Sequence, residues 1–164
     1  MLSAWHIIHL PVKINGRRQD RRLVEGLIVS WAESRIEGFV LTPRLFSACF
    51  VPADEKSVGV TAMGLDVFRP AVLERRARRW HKSTMREQAR MRNRPVVDQW
   101  GRLHGRFKDV IFDEKSFRVT ALVVSRGVVG DLLSGAVLVP IAEVTEIGAE
   151  AIKIYAPGEP FSMR

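Results

Sequence analysis

The stretch on which the fold turns is Gly101-Arg102-Leu103-His104-Gly105-Arg106-Phe107-Lys108-Asp109-Val110-Ile111-Phe112-Asp113. It opens on a turn glycine after Trp100 and closes on the apolar pair Ile111-Phe112. Asp113-Glu114-Lys115-Ser116 then makes a polar turn into a second apolar run, Arg118-Val119-Thr120-Ala121-Leu122-Val123-Val124-Ser125. Short runs of β-branched and aromatic residues punctuated by Gly, Asn and Asp are the pattern of strands joined by hairpins.

The same succession occurs earlier in the chain. Leu10-Pro11-Val12 parallels Arg94-Pro95-Val96, and Asn15-Gly16, a strong tight-turn signal, parallels Trp100-Gly101. Leu27-Ile28 parallels Ile111-Phe112, and Ile36-Glu37-Gly38-Phe39-Val40-Leu41 parallels Val119–Val124. Phe50-Val51-Pro52 and Leu138-Val139-Pro140 follow, each with a glutamate three residues after the proline, Glu55 and Glu143. A fixed succession at a shifting offset predicts a repeated structural unit with small loop insertions. Pro52 and Pro140 cannot donate to a ladder and should mark strand ends. Ala136-Val137-Leu138-Val139, apolar throughout, predicts a strand covered on both faces, as in a small closed barrel.

Of the 164 residues, 46% are hydrophobic and 27% charged, which excludes disorder throughout. No apolar run reaches the roughly 18 residues a membrane helix needs, and Met1-Leu2-Ser3-Ala4-Trp5-His6 lacks a secretory signal's basic n-region. The single cysteine, Cys49, rules out an intrachain disulfide, and a cytoplasmic protein is expected.

The net charge of +8 sits in one segment. Between Phe68 and Arg94 the basic residues are Arg69, Arg75, Arg76, Arg78, Arg79, Lys82, Arg86, Arg90, Arg92 and Arg94, opposed only by Glu74 and Glu87. From Ala71 to Asn93 there is no glycine or proline, and good helix formers predominate. The segment is therefore expected to be a helix opened by Pro70 and stopped at Asn93-Pro95, with Leu73, Ala77, Trp80, Thr84 and Met91 as a thin apolar stripe.

Candidate sites follow from residue types. Arg75, Arg76, Arg78, Arg79, Lys82, Arg86, Arg90 and Arg92 suit an anionic partner through charge and bidentate hydrogen bonding, with Trp80 available to stack on a base. Arg17, Arg18, Arg21 and Arg22 form a second, smaller basic cluster, or simply a charged turn. His6 and His9 have no third metal ligand near in sequence, and Cys49 lies in an apolar strand as core filler. Asp109 and Asp113 read as turn carboxylates rather than an acid–base pair. No phosphate loop, dinucleotide fingerprint or catalytic signature is present, so no enzyme, metal or cofactor is implied.

The stretch from Gly101 to Asp113, the run Arg118–Ser125 and the Val139-Pro140 step resemble the PRC-barrel family. The resemblance is weaker in the first half, where Asp20 stands opposite Gly105, Glu25 opposite Asp109 and Gly26 opposite Val110. It implies a mainly β chain of two small PRC-type β-barrels joined by a basic α-helical connector. The expected boundaries are a diverged barrel over 1–67, the linker over 68–94, a barrel over 95–157 and a tail over 158–164. Such barrels look like protein-docking modules without catalysis. A non-enzymatic module is thus expected, binding protein or ribonucleoprotein, with the ribosome or RNA, an acidic protein or an anionic membrane surface as partners of the basic segment. The alternative is a structural adaptor that self-associates and binds protein only. Units of about 65 residues bury only about 60% of their unfolded surface, so each is expected to lean on the other, on the helix or, as a homodimer, on a second copy.

Overall fold

The computed structural model describes residues 1–45, 47–127, 130–131 and 135–156, with backbone only at 20 and 21. The tail over 158–164 lies outside the described residues.

In chain order, β1 (Leu2–Ser3) leads into a single turn of helix, α1 (Ala4–Ile7). β2 (Pro11–Ile14), β3 (Arg17–Ser30), β4 (Arg35–Arg44), β5 (Ser47–Pro52), β6 (Val58–Thr61) and β7 (Gly64–Val67) follow. A 3-10 turn at Pro70–Val72 precedes β8 (Glu74–Ala77) and the helix α2 (Arg78–Met91). The remaining strands are β9 (Pro95–Val97), β10 (Leu103–Phe112), β11 (Val119–Ser125), β12 (Val137–Pro140), β13 (Val144–Ile147) and β14 (Ile152–Ile154).

Two seven-stranded sheets result. The first has the order β6-β7-β2-β3-β4-β5-β8, and the second β13-β14-β9-β10-β11-β12, with β1 paired to the end of β10. Strand for strand, β2–β7 and β9–β14 occupy the same positions, including a parallel pair, β2 with β7 and β9 with β14. The first sheet differs by one added strand, β8, on the outer edge of β5. Both strand paths are open among the described residues; no closed barrel is formed.

By their contacts the residues fall into two compact units, 1–89 with 110–120, and 90–109 with 121–164. The grouping cuts across boundaries drawn by sequence at 67 and 94. The first unit takes most of α2 and also the tip of the β10–β11 hairpin. The reason is burial: Phe112 and Phe117 are inaccessible, Phe117 sits edge-on to Phe39 at 5.9 Å, and its carbonyl accepts from the N–H of Ile36 at 2.8 Å. The second unit has its own core of Val96, Leu122, Val124, Val139 and Ile152.

The turns follow their residue types. Asn15 and Gly16 both take positive φ, 50° and 74°, as a two-residue hairpin between right-twisted strands demands. At the β10–β11 turn, Asp113 Oδ1 accepts from the N–H of Lys115 (3.0 Å), the N–H of Ser116 (2.7 Å) and Ser116 Oγ (2.9 Å). Pro52 and Pro140 end their strands. Pro43 lies inside β4, at the register shift between Leu41 and Arg44, where no ladder donor is missed.

Three expectations are corrected. The 71–93 helix is shorter: Glu74–Ala77 is a strand, because pairing with Ser47–Phe50 of β5 satisfies its backbone at a sheet edge that helix propensity does not see. Leu73 and Ala77 therefore do not belong to the helical stripe. β12 is not covered on both faces; Leu138 is 59% exposed while Val139 is buried. Burial on both faces is found instead in the first sheet, across Gly38–Leu41 of β4 and Ala48–Val51 of β5.

Candidate functional site

Helix α2 carries two faces. Trp80, His81, Thr84, Met85, Gln88 and Met91 are half-buried, and their spacing makes one continuous side of an α-helix. Arg78, Arg79, Lys82, Arg86 and Arg90 are exposed on the other side.

Polar groups fasten the inner face to the first sheet. His81 Nε2 meets Glu25 Oε2 on β3 at 2.6 Å. Gln88 Nε2 donates to the carbonyl of Leu27 at 2.6 Å. Its amide lies over Gly26, where a Cβ would come within 2.4 Å of Oε1. About two turns before Gln88, Trp80 packs edge-on against Phe50 at 5.8 Å. The Arg76 guanidinium caps both rings, 5.6 Å from Phe50 and 5.5 Å from Trp80, and is ion-paired to Glu74. Trp80 is therefore part of the helix's seat and is not free to stack on a base, a further correction to the expectation drawn from sequence.

The outer face is electrostatically uncompensated. Among the described residues, Arg78, Arg79, Lys82, Arg86 and Arg90 have no ion-pair partner. Glu87 is the one acid among them. Arg75 is exposed on β8, and Arg92 is exposed just past the helix.

Members of the two basic clusters meet at one thiol. Burial pushes the Cys49 thiol up, while Arg22 of β3, hydrogen-bonded to it, and Arg75 of β8 pull the other way. Cys49 is otherwise core, buried between β4 and β8. Arg17 and Arg18 are exposed at the start of β3, beside the Asn15-Gly16 turn. The side chain of Arg21 lies outside the described residues.

Sequence patterning missed Glu25, His81 and Gln88, the groups that orient the helix. The 80-84-88 and 81-85 spacings were present. A search for apolar residues passes over His and Gln, so the inner face looked thinner than it is.

In the second unit a buried carboxylate organises the β9–β10 turn. Asp98 Oδ1 accepts from the N–H of Trp100 (3.0 Å) and of Arg102 (2.9 Å), and Oδ2 faces His104 Nε2 at 2.9 Å. Burial pushes the Asp98 carboxyl up, but these three partners outweigh it and hold the group below the ordinary aspartate range. Trp100 is 44% exposed, under the guanidinium of Arg102 at 4.9 Å. Among the described residues no cluster of His, Cys, Asp and Glu is arranged to hold a metal. Among the described residues, no helix is long and apolar enough to cross a membrane.

No curated protein matches the chain significantly. Residues 83–159, from the second turn of α2 through β9–β14 and beyond, match the family model of the PRC-barrel domain; the match covers one domain, and residues 1–82 fall outside it.

Proposed function

We propose that the protein is a non-catalytic binding module of the PRC-barrel type that docks a protein or ribonucleoprotein partner, held electrostatically by the outer face of α2. PRC-barrel domains are generally non-enzymatic and often mediate protein interactions, which supports the first part. The common strand order of β2–β7 and β9–β14 favours a first sheet that is a diverged copy of the matched domain. The observation that carries the docking surface is the set of five unpaired, exposed cations on a helix whose opposite face is pinned by Glu25, Leu27 and Phe50. A fixed array of uncompensated charge raises local counter-ion concentration and steers an anionic partner into contact.

The test is retention of the purified full chain on immobilised polyanion along a salt gradient. Changing Arg78, Arg79, Lys82 and Arg86 together to Gln should lower the eluting salt well below that of the wild type. Changing Arg17 and Arg18 to Gln should lower it far less. Equal elution of all three proteins would overturn the proposal.

A further inference from the structure

Resting on that proposal, and going further than it, we infer that the outer face of α2 binds the paired phosphate backbones of a nucleic-acid duplex, without reading its bases.

Three observations lead there. Arg79, Lys82, Arg86 and Arg90 recur at helical spacings of three and four and so form one row along the helix. At 1.5 Å per residue the row spans about 16 Å, enough to meet several successive phosphates of a duplex. Three of the four are arginine, whose planar fork matches phosphate oxygens bidentately.

The second observation concerns what the row lacks. Single strands are held by stacking bases on aromatic side chains. The one aromatic residue of α2, Trp80, is wedged against Phe50 and capped by Arg76, so the row offers no stacking platform. Binding must then come from the backbone, whose charge density is higher in a duplex than in a single strand.

The third observation separates a duplex from a bilayer. An interfacial helix presents basic residues on one side and buries Trp, Phe or Leu of the other side among acyl chains. In α2 the apolar side is half-buried at Trp80, Met85 and Met91, with Trp80 packed on Phe50, and the residues between the outer cations are Ser83, Glu87 and Ala89. Nothing on this face can enter lipid.

The experiment is fluorescence anisotropy with the full chain and four probes. These are a 20-base-pair RNA duplex, a DNA duplex of the same sequence, the single RNA strand alone, and labelled polyglutamate, with anionic vesicles in a parallel flotation assay. Both duplexes should bind, and more tightly than the single strand. With four phosphate contacts, affinity should fall roughly a hundredfold between 50 and 200 mM salt. Changing Arg79, Lys82, Arg86 and Arg90 together to Gln should flatten the salt slope by about 3.6 units. The Arg17→Gln, Arg18→Gln control should leave it almost unchanged. A single strand bound as tightly as a duplex, a slope unaffected by the helix changes, or vesicles bound in preference to duplex would each overturn the inference. Polyglutamate held through these same arginines with no duplex binding would overturn it and leave the proposed docking surface standing. If no polyanion were held at low salt, both would fall.

Discussion

Gln88 of α2 donates its side-chain amide to the carbonyl oxygen of Leu27 at 2.6 Å, across the gap that Gly26 leaves open on β3. About two turns earlier, His81 on Glu25 and its neighbour Trp80 on Phe50 complete the seat. The helix has no fully buried residue, so these few contacts set its orientation.

Gly26→Val should therefore act on binding without touching a cation. A branched side chain there must displace the Gln88 amide and leave the Leu27 carbonyl without that partner, at a cost of about 1–3 kcal/mol. The expected result is faster amide exchange through residues 80–91 and weaker retention on polyanion at intermediate salt. Exchange rates matching the wild type would refute this account of the helix's anchorage.

Gly38→Ala tests the middle of β4. A Cβ there would lie 2.3 Å from Phe50 Cζ and 2.5 Å from the carbonyl oxygen of Val51, and the backbone oxygen cannot step aside. Overpacking of this kind costs about 1–3 kcal/mol. The urea midpoint should fall accordingly, and an unchanged midpoint would contradict the packing described.

Phe117→Ala should be the most damaging of the core changes, about 3–5 kcal/mol, because a fully buried ring packed edge-on against Phe39 is removed. Phe117→Leu should lose less and remain soluble enough to measure. The prediction fails if Phe117→Leu leaves stability untouched, since that would place the β10–β11 tip outside the first core.

Leu45 is 84% exposed at the β4–β5 turn with φ of 46°, a left-handed conformation that a leucine adopts only under strain. Leu45→Asn accepts this conformation and removes an exposed apolar group. It should raise stability by about 0.5–1 kcal/mol. Thermal denaturation of the two proteins side by side decides the point; a lower midpoint for the variant would count against it.

Acid stability follows from Asp98 and Asp113. Burial raises the Asp98 carboxyl, but His104 and the N–H groups of Arg102 and Trp100 lower it further, for a net downward shift. Asp113 is lowered chiefly by the backbone and hydroxyl of Ser116. Folded-state values below the unfolded value near 3.9 give stability that is fully present above it and lost as pH falls through the folded value. Urea midpoints should be level from pH 7 to 5 in this respect and drop below about pH 4. Asp98→Asn and Asp113→Asn should each lower the midpoint at pH 7 and make its fall at low pH shallower. A fall of undiminished steepness in both variants would rule these carboxylates out as its source.

Much of the fold was legible because strands and turns are written locally. Asn15-Gly16, the Asp113–Ser116 turn and the strand-ending Pro52 and Pro140 depend on residues close in sequence. The basic helix was legible as charge and composition, and its outer cations lie on one exposed face. Its start was not, because Glu74–Ala77 becomes a strand only when β5 presents an unpaired edge, and that edge is formed by residues some 25 positions away.

What the sequence determined by itself, then, is the alphabet of strands and turns, the concentration of positive charge between Phe68 and Arg94, and the likeness of the second half to a PRC-barrel domain. Only the tertiary structure decided which side of α2 faces out, that Trp80 is spent on Phe50 and Arg76, and that Phe117 fills the first core rather than the second. Hairpins and helix propensity arise from neighbours along the chain. Burial and pairing at a sheet edge arise from residues far apart in it, and no local pattern carries that information.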